Sequence, residues 1–549
     1  MSALALARPG ARAFTPALLA GVVALGAVLI ALPFLSLAVT ALQGSEALPH
    51  LLAYVLPQAL RETVLLLLGV GATVLLLGVG SAWLVSAFEF PGRRILDWAL
   101  VLPLAVPTYI VAYAYLDLLH PIGPVQSGLR ALLGIANPRD LPFPEVRSLP
   151  VCAVLLGLVL YPYVYLPTRA VFLMQGANVL EVARMLGAGP TRVFARIALP
   201  LARPAIAVGT SLALLEALND IGASEFLGVR TLTVSIYSTW VNRSDLPGAA
   251  QIALSMLAVV IALIALESYG RREAGHVAAS RAPSRRSLPP LAAVSAMVLG
   301  LVPVALGFLA PAGYLLVQSV KRIGFAGISA SLLDETLATI LLSAVATLAT
   351  VVIGVSLALV ARFRPGRGAR AMLRLAGIGY AVPGTVLAVA LLAPLGAFDA
   401  LLAGALERVS GIAVGTLLLG SSLALVYAYT LRFLAISTGA ADAGLSKLPR
   451  NLDAASRVLG HGPLSTIRRI HLPLAAPAIA SGALLVFVDC MKELPATLLL
   501  RPLNVETLAT HLYGEAARGS YEDGAIAALL IVAVGLLPLI LVSRLQTRR

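Results

Sequence analysis

The sequence predicts an all-α polytopic membrane protein with about twelve transmembrane helices in two homologous six-helix halves. Three observations predict it: a composition poor in charge, continuous apolar runs long enough to cross a bilayer, and a repeat relating one half of the chain to the other. Of 549 residues, 59% are hydrophobic and 12% charged, and the mean hydropathy is +0.94. A soluble globular chain carries about 25% charged residues. Lipid cannot satisfy backbone polar groups, so spanning segments must be helices or a closed barrel. The runs here are continuous rather than alternating, which excludes the barrel.

The first six spans are expected near 15–40, 62–88, 96–118, 149–173, 201–222 and 248–268. The second six are expected near 291–319, 335–361, 371–396, 411–436, 474–496 and 524–543. The first apolar run, Ala17 to Thr40, exceeds the roughly 7–15 residues of a signal-peptide core and reads as a retained span. The formal net charge is +14. With the N-terminus inside, most basic residues fall on the cytoplasmic side, including Arg93, Arg94, the Arg271 to Arg286 stretch and Arg544 to Arg549. That asymmetry is the positive-inside pattern, so the basic charge marks topology rather than nucleic-acid binding, and both termini are expected in the cytoplasm. Cys152 and Cys490 lie within expected spans, where packing is the default role.

The repeat sets the domain organisation. RMLGAGPTRVFARIALPLARPAI at 184–206 recurs as RVLGHGPLSTIRRIHLPLAAPAI at 457–479, a shift of 273 residues. Glu62-Thr63 maps to Glu335-Thr336 by the same shift, and Val106-Pro107 maps to Val382-Pro383 with a few residues more. Residues 1–269 therefore form one half, 270–290 a polar, basic cytoplasmic linker, and 291–549 the second half. An even number of spans per half gives both the same orientation, with a pseudo-twofold axis along the membrane normal.

The most faithful repeat lies in the loop between the fourth and fifth spans of each half, near 178–200 and 451–473. Loops ordinarily drift, so a repeated loop implies a shared contact surface. In the first copy Asn178 is placed to cap a helix, Glu181 completes a capping-box-like arrangement, and Gly187 and Gly189 end the helix before Pro190. In the second, Asn451 is placed to cap, Ala454 takes the position of Glu181, and the acid moves one place earlier to Asp453, in the first turn. EVARMLGAGPTRVFARIALP resembles the EAA loop of ABC-importer permeases. The resemblance implies a type I importer permease, in which each such loop docks on an ATPase subunit. It assigns coupling to Glu181, Ala183, Gly187, Gly189 and Pro190, and to Asp453, Ala454, Gly460, Gly462 and Pro463. It also implies two copies of the ATPase subunit on the cytoplasmic side, a periplasmic substrate-binding protein, and a bacterial inner-membrane location. No G-x-x-x-x-G-K-[ST] phosphate loop occurs in the sequence, so ATP hydrolysis is expected in a separate subunit rather than in this chain.

About 30 residues past each loop, polar residues enter the membrane: Glu216, Asn219 and Asp220 in one half, and Asp489, Lys492 and Glu493 in the other. Ionisable residues at membrane depth cost about 2.5–3.5 kcal/mol each on insertion scales and seldom face lipid. Spacing of i, i+3, i+4 puts each trio on one helical face, so a polar lining of the translocation path is expected. An ion-pair cluster around Lys492, or helix ends already in water, would explain the same residues. LNDIGASEFLGVRTLTVSIYSTWVNRSDLPGAAQIAL (218–254) and DCMKELPATLLLRPLNVETLATHLYGEAA (489–517) resemble the two halves of fused ferric-iron importer permeases. That resemblance implies ferric iron as cargo, while thiamine, sulfate and polyamine permeases share the architecture. An ion-coupled secondary transporter would also use membrane acids, but it leaves the repeated loop unexplained. No cofactor and no resident metal site is expected, because no Cys/His/carboxylate group has ligand spacing. Tyr161, Tyr163 and Tyr165 cannot share one helical face and read as packing or interfacial residues.

Overall fold

A computed structural model describes residues 16–174, 185, 188–271, 285–363, 366–411 and 415–547. Among these, eight helices are long and apolar enough to cross a membrane: Leu48–Ala87, Pro190–Asn219, Leu246–Gly270, Pro290–Ala326, Ala330–Phe363, Gly384–Ser410, Ser422–Ser446 and Pro463–Met491. Two bent pairs raise the number to ten if each is one span, and shorter apolar helices, Val28–Leu42 and Ala525–Pro538, lie where the first and twelfth spans were expected. The chain is thus an all-α polytopic protein.

The expected third span is not straight. Arg93–Ala105 and Thr108–Leu118 meet at 92°, around Val106, whose backbone is extended (φ −101°, ψ 116°). Proline disfavours the helical region for the residue before it, so Val106-Pro107 stops one helix and Pro107 starts the next. The same device recurs in the second repeat. Val382 is extended (φ −84°, ψ 126°) between Arg367–Ala381 and Gly384–Ser410. The latter helix runs past the expected end of its span, and the next begins at Ser422 rather than near 411. The fourth span bends by 44° between Leu149–Leu160 and Pro162–Met174.

Packing divides the chain into two compact units that are not contiguous in sequence. One comprises Met1–Thr40, Thr339–Ala496 and Leu500–Asn504. Its first helix is tied to Ser422–Ser446 by the Tyr427 hydroxyl, which donates to the Leu29 carbonyl at 2.6 Å. The other comprises Ala41–Ala338, Thr497–Leu499 and Val505–Arg549. Within it, Tyr115 donates to the Leu306 carbonyl at 2.7 Å, and Tyr314 and Gln318 both donate to Asp117. Each unit therefore contains the first helix of the opposite sequence repeat.

Of the expected linker, residues 272–284 lie outside the described residues. Its end is held: Arg286–Ser287 pairs in parallel with Phe88–Glu89, and the Leu288 amide donates to the Glu89 carbonyl at 3.3 Å.

Candidate functional site

The repeated loops form the first candidate site. In the second copy, helix Asn451–Val458 ends at Gly460, whose φ of +80° is the left-handed conformation glycine adopts without a Cβ penalty. Pro463–Thr466 follows, then a π-turn at Ile467–His471 that runs into Leu472–Met491. In the first copy Glu181, Ala183 and Gly187 lie outside the described residues, as does Asn178. From Gly189 onward the loop repeats the second copy: Pro190–Val193, a π-turn at Phe194–Ala198, and helix Leu199–Asn219.

Two local expectations are corrected. Asn451 does not cap its helix; Arg450 holds that position, with no side-chain cap hydrogen bond. Gly189 and its counterpart Gly462 are not left-handed terminators. Both are extended (φ −66° and −73°) and precede the proline that opens the next helix.

The two loops rest on different supports. In the first half Val193 is buried against Trp83, Ala188 and Ile197. The Trp83 ring packs on Phe194 and Phe172 at centroid distances of 5.1 and 5.4 Å. Asp453 of the second half has a polar setting: its carboxylate meets Arg362 Nη2 at 3.1 Å and His471 Nε2 at 2.6 Å. The hydroxyls of Ser456 and Thr466, 2.7 Å apart and buried, join its two short helices. Outward, both loops present an apolar residue that the sequence reading passed over. Met185 is 86% exposed and Val458, its counterpart by the 273 shift, is 87% exposed. Pairwise comparison of the loops for apolar identity, rather than for acids and glycines, would have found them.

The polar residues of the membrane form the second candidate site, and the structure separates them. Glu216 and Asn219 lie half-buried in the last turns of Leu199–Asn219, but Asp220 leaves the helix (φ −68°, ψ 126°). Similarly, Leu472–Met491 ends before Lys492 and Glu493. The expected single faces therefore stop one residue short of Asp220 and two residues short of Glu493. Asp220 is buried and accepts from the Thr108 hydroxyl, the first residue past the Val106-Pro107 break, and from the Ser224 amide at 3.0 Å. Glu493 is also buried and accepts from the Ala496 amide at 3.0 Å. Each acid thus satisfies the free N–H groups of a short helix, Gly222–Phe226 or Pro495–Leu500. Asp489 and Lys492 form an i, i+3 ion pair at 2.8 Å.

Arg432 was missed, although an arginine inside the run LALVYAYTLRFLAIS is a visible signal. Its Nε lies 4.0 Å from Glu493, and its Nη1 donates to the Val382 carbonyl at the proline break at 3.4 Å. Tyr161 and Tyr165 are packing residues. They donate to the Leu100 carbonyl (2.8 Å) and to the Asp97 carboxylate (2.5 Å), bracing the first broken span. Among the described residues no group of three or more His, Cys, Asp and Glu is placed to hold a metal ion.

The model of the family "binding-protein-dependent transport system inner membrane component" matches the chain twice, at residues 74–272 and 350–549. The Fe(3+)-transport system permease protein FbpB 2 of Haemophilus influenzae is 22% identical over 89% of this chain and 90% of its own length. The molybdenum transport system permease protein ModB of Escherichia coli is 33% identical over 34% of this chain and 81% of its own. A putative 2-aminoethylphosphonate transport system permease protein, PhnU of Salmonella choleraesuis, is 29% identical over 38% of this chain and 73% of its own.

Proposed function

Since this chain belongs to the family of binding-protein-dependent transport system inner membrane components, we propose that it is the membrane-spanning permease of an ATP-driven importer that receives ferric iron from a periplasmic binding protein. The observation that carries the ATP-driven part is the pair Met185 and Val458. Two large apolar side chains stand almost fully exposed at matching positions of a repeated loop, an arrangement that suits a pair of identical partners, each with an apolar groove. Those partners are two ATPase subunits, one per loop. Glu181, Ala183, Gly187, Gly189 and Pro190 shape the first docking loop, and Ala454, Gly460, Gly462 and Pro463 the second. Both loops share the cytoplasmic side with the basic segments and both termini.

In this reading ATP binding draws the loops together and opens the path outward, and hydrolysis resets it. The differential contacts of the two states drive the change. Glu216, Asn219, Asp489 and Lys492 line the path, while Asp220 and Glu493 hold the breaks beside it. Ferric iron is supported by the similarity to FbpB 2, which runs through both repeats. A second cargo class, oxyanions, is favoured by the 33% identity, over 34% of this chain, to the molybdenum permease.

Met185→Asp and Val458→Asp should each lower co-purification of the ATPase from detergent by at least about tenfold, the equivalent of 1.4 kcal/mol. The double variant should abolish it. Full retention by the double variant would sink the docking assignment. Uptake that survives ATP depletion and collapses with the proton gradient would sink the importer itself. Labelled ferric iron and labelled molybdate, compared in the same vesicles, decide the cargo.

A further inference from the structure

Asp453 is the acid that the second loop carries one position earlier than the first, and its surroundings say what it does. Its side chain is 14% exposed, that of Arg362 10%, and that of His471 0%. Both carboxylate oxygens are engaged by the second half's own groups, Oδ1 by His471 Nε2 and Oδ2 by Arg362 Nη2. A carboxylate can only accept, so the His471 Nε2–H donates to Asp453 Oδ1, while Nδ1 is buried with no hydrogen-bond partner among the described residues. The Arg362 guanidinium reaches further. Nη1 donates to the carbonyls of Leu445 (2.6 Å) and Leu448 (3.2 Å), at the end of helix Ser422–Ser446.

We propose that Asp453, Arg362 and His471 form a clamp peculiar to the second half, which fixes helix Asn451–Val458 to the ends of three membrane helices, Ala330–Phe363, Ser422–Ser446 and Leu472–Met491. Asp453 is then a positioning residue that acts on the docking surface from within, and Val458 and its neighbours make the contact. This deepens the docking assignment above and rests on it for its consequence, though not for its geometry.

The internal repeat supplies the comparison. By the 273 shift, Asp453 faces Leu180, Ala454 faces Glu181 and His471 faces Ala198, while Arg362 falls opposite Phe88 or Glu89. None of the first-half counterparts can build this triad. The acid of the second loop has moved one position along the helix and has gained two cationic or hydrogen-bonding partners there. A surface acid that had merely drifted would have no reason to coincide with a buried histidine and a buried arginine. A carboxylate buried against both, with each oxygen occupied, has become part of the frame. The clamp makes the second loop stiff relative to its membrane helices, so a displacement of the docked subunit is transmitted to three helices at once.

The test uses the full-length chain with its ATPase subunit in detergent. Amide hydrogen exchange is followed across residues 451–458, and the rate of ATPase loss on washing is measured in parallel. Asp453→Asn, which keeps the shape, should speed exchange at 451–458 by about tenfold, with the membrane helices unchanged, and should shorten ATPase retention about fivefold, within the range of site-to-site coupling. His471→Gln should do the same, and combining the two should add little, because they break one network. A stability defect alone would raise exchange throughout the second half. Unchanged exchange at 451–458 in Asp453→Asn would overturn the clamp, as would wild-type ATPase retention. Val458→Asp separates the two ideas: it should remove the ATPase, while exchange at 451–458, read on the chain washed free of ATPase, should match that of the wild type washed in the same way. If it keeps the ATPase, the docking assignment fails, and the exchange result still decides the clamp.

Discussion

Gly384 and Thr108 stand at matching places, each the first residue past its proline break, and the two halves use them in opposite ways. Thr108 donates its hydroxyl to Asp220. A Cβ at Gly384 would lie 2.6 Å from Glu493 Oε1, 2.9 Å from Arg432 Nη1 and 3.2 Å from the Ala496 amide nitrogen. The second half leaves out the side chain so that the arginine can approach the acid. Gly384→Ala should therefore push the carboxylate off the Ala496 amide and cost about 1–3 kcal/mol, read as a lower melting temperature in detergent. Arg432→Val, the residue at the matching position 159, should cost more, about 3–5 kcal/mol, since it leaves a buried carboxylate uncompensated. Adding Gly384→Thr should recover part of that loss by importing the first half's solution. His511 gives a pH dependence. Its Nδ1 lies 2.9 Å from Glu335, and that hydrogen bond raises its pKa against the opposing effect of burial. A raised folded-state pKa gives stability fully present below the ordinary histidine value of about 6.5 and lost as pH rises through the folded value. The melting-temperature gap between the wild type and His511→Gln should close as pH rises from about 5 to about 9. Of these residues, Asp220 and Glu493 were visible as membrane acids. Their task was not, because an i, i+3, i+4 face presumes a helix that in fact ends between Asn219 and Asp220.

At the scale of elements, apolar runs located the spans well and their shapes poorly. Hydropathy is blind to direction: the run from 96 to 118 is equally apolar whether straight or bent by 92°. The information was present in Val106-Pro107 and Val382-Pro383, as the bias proline imposes on the residue before it. The last two helices of the first loop were continuous for a related reason. Pro190 sits at a first helical position, where a missing N–H is harmless, so it starts the rod Pro190–Asn219 rather than interrupting it. The parallel ladder between Phe88–Glu89 and Arg286–Ser287 could not be foreseen, since two residues in a basic, proline-flanked stretch carry no strand pattern. It pins the linker's end beside the first loop's aromatic support, where Arg286 and Trp83 line the same cleft of about 480 Å³. Leu288→Pro would remove the amide that donates to Glu89 and should release this end. Tryptic cleavage at Arg285 and Arg286 should then accelerate about fivefold relative to the wild type, the expected sign of a locally lowered opening free energy.

The whole molecule has two partitions, and they differ. Sequence identity divides it at the linker, and the family model matches once on either side. Packing divides it otherwise, because the first helix of each repeat is lodged in the unit built mainly from the other, and Val505–Arg549 joins the unit of the first repeat. A repeat search reads duplication and has no access to exchange: the identity of Leu29 and Tyr427 gives no hint that one donates to the other. The exchange has a thermodynamic consequence. In lipid the association of helices rests on packing and interhelical hydrogen bonds, so a half deprived of its partner loses the packing of whole helices. Tyr115 and Asp117 would lose their contacts with Leu306, Tyr314 and Gln318. Residues 1–269 and 291–549, expressed separately, should each be degraded or aggregate. Expressed together as two chains, they should assemble and support uptake, because the linker contributes proximity and little of the packing. Fluorescence-detected size exclusion of each half, alone and together, reads the outcome directly. A monodisperse 1–269 fragment on its own would mean that the exchanged helices are dispensable to the fold.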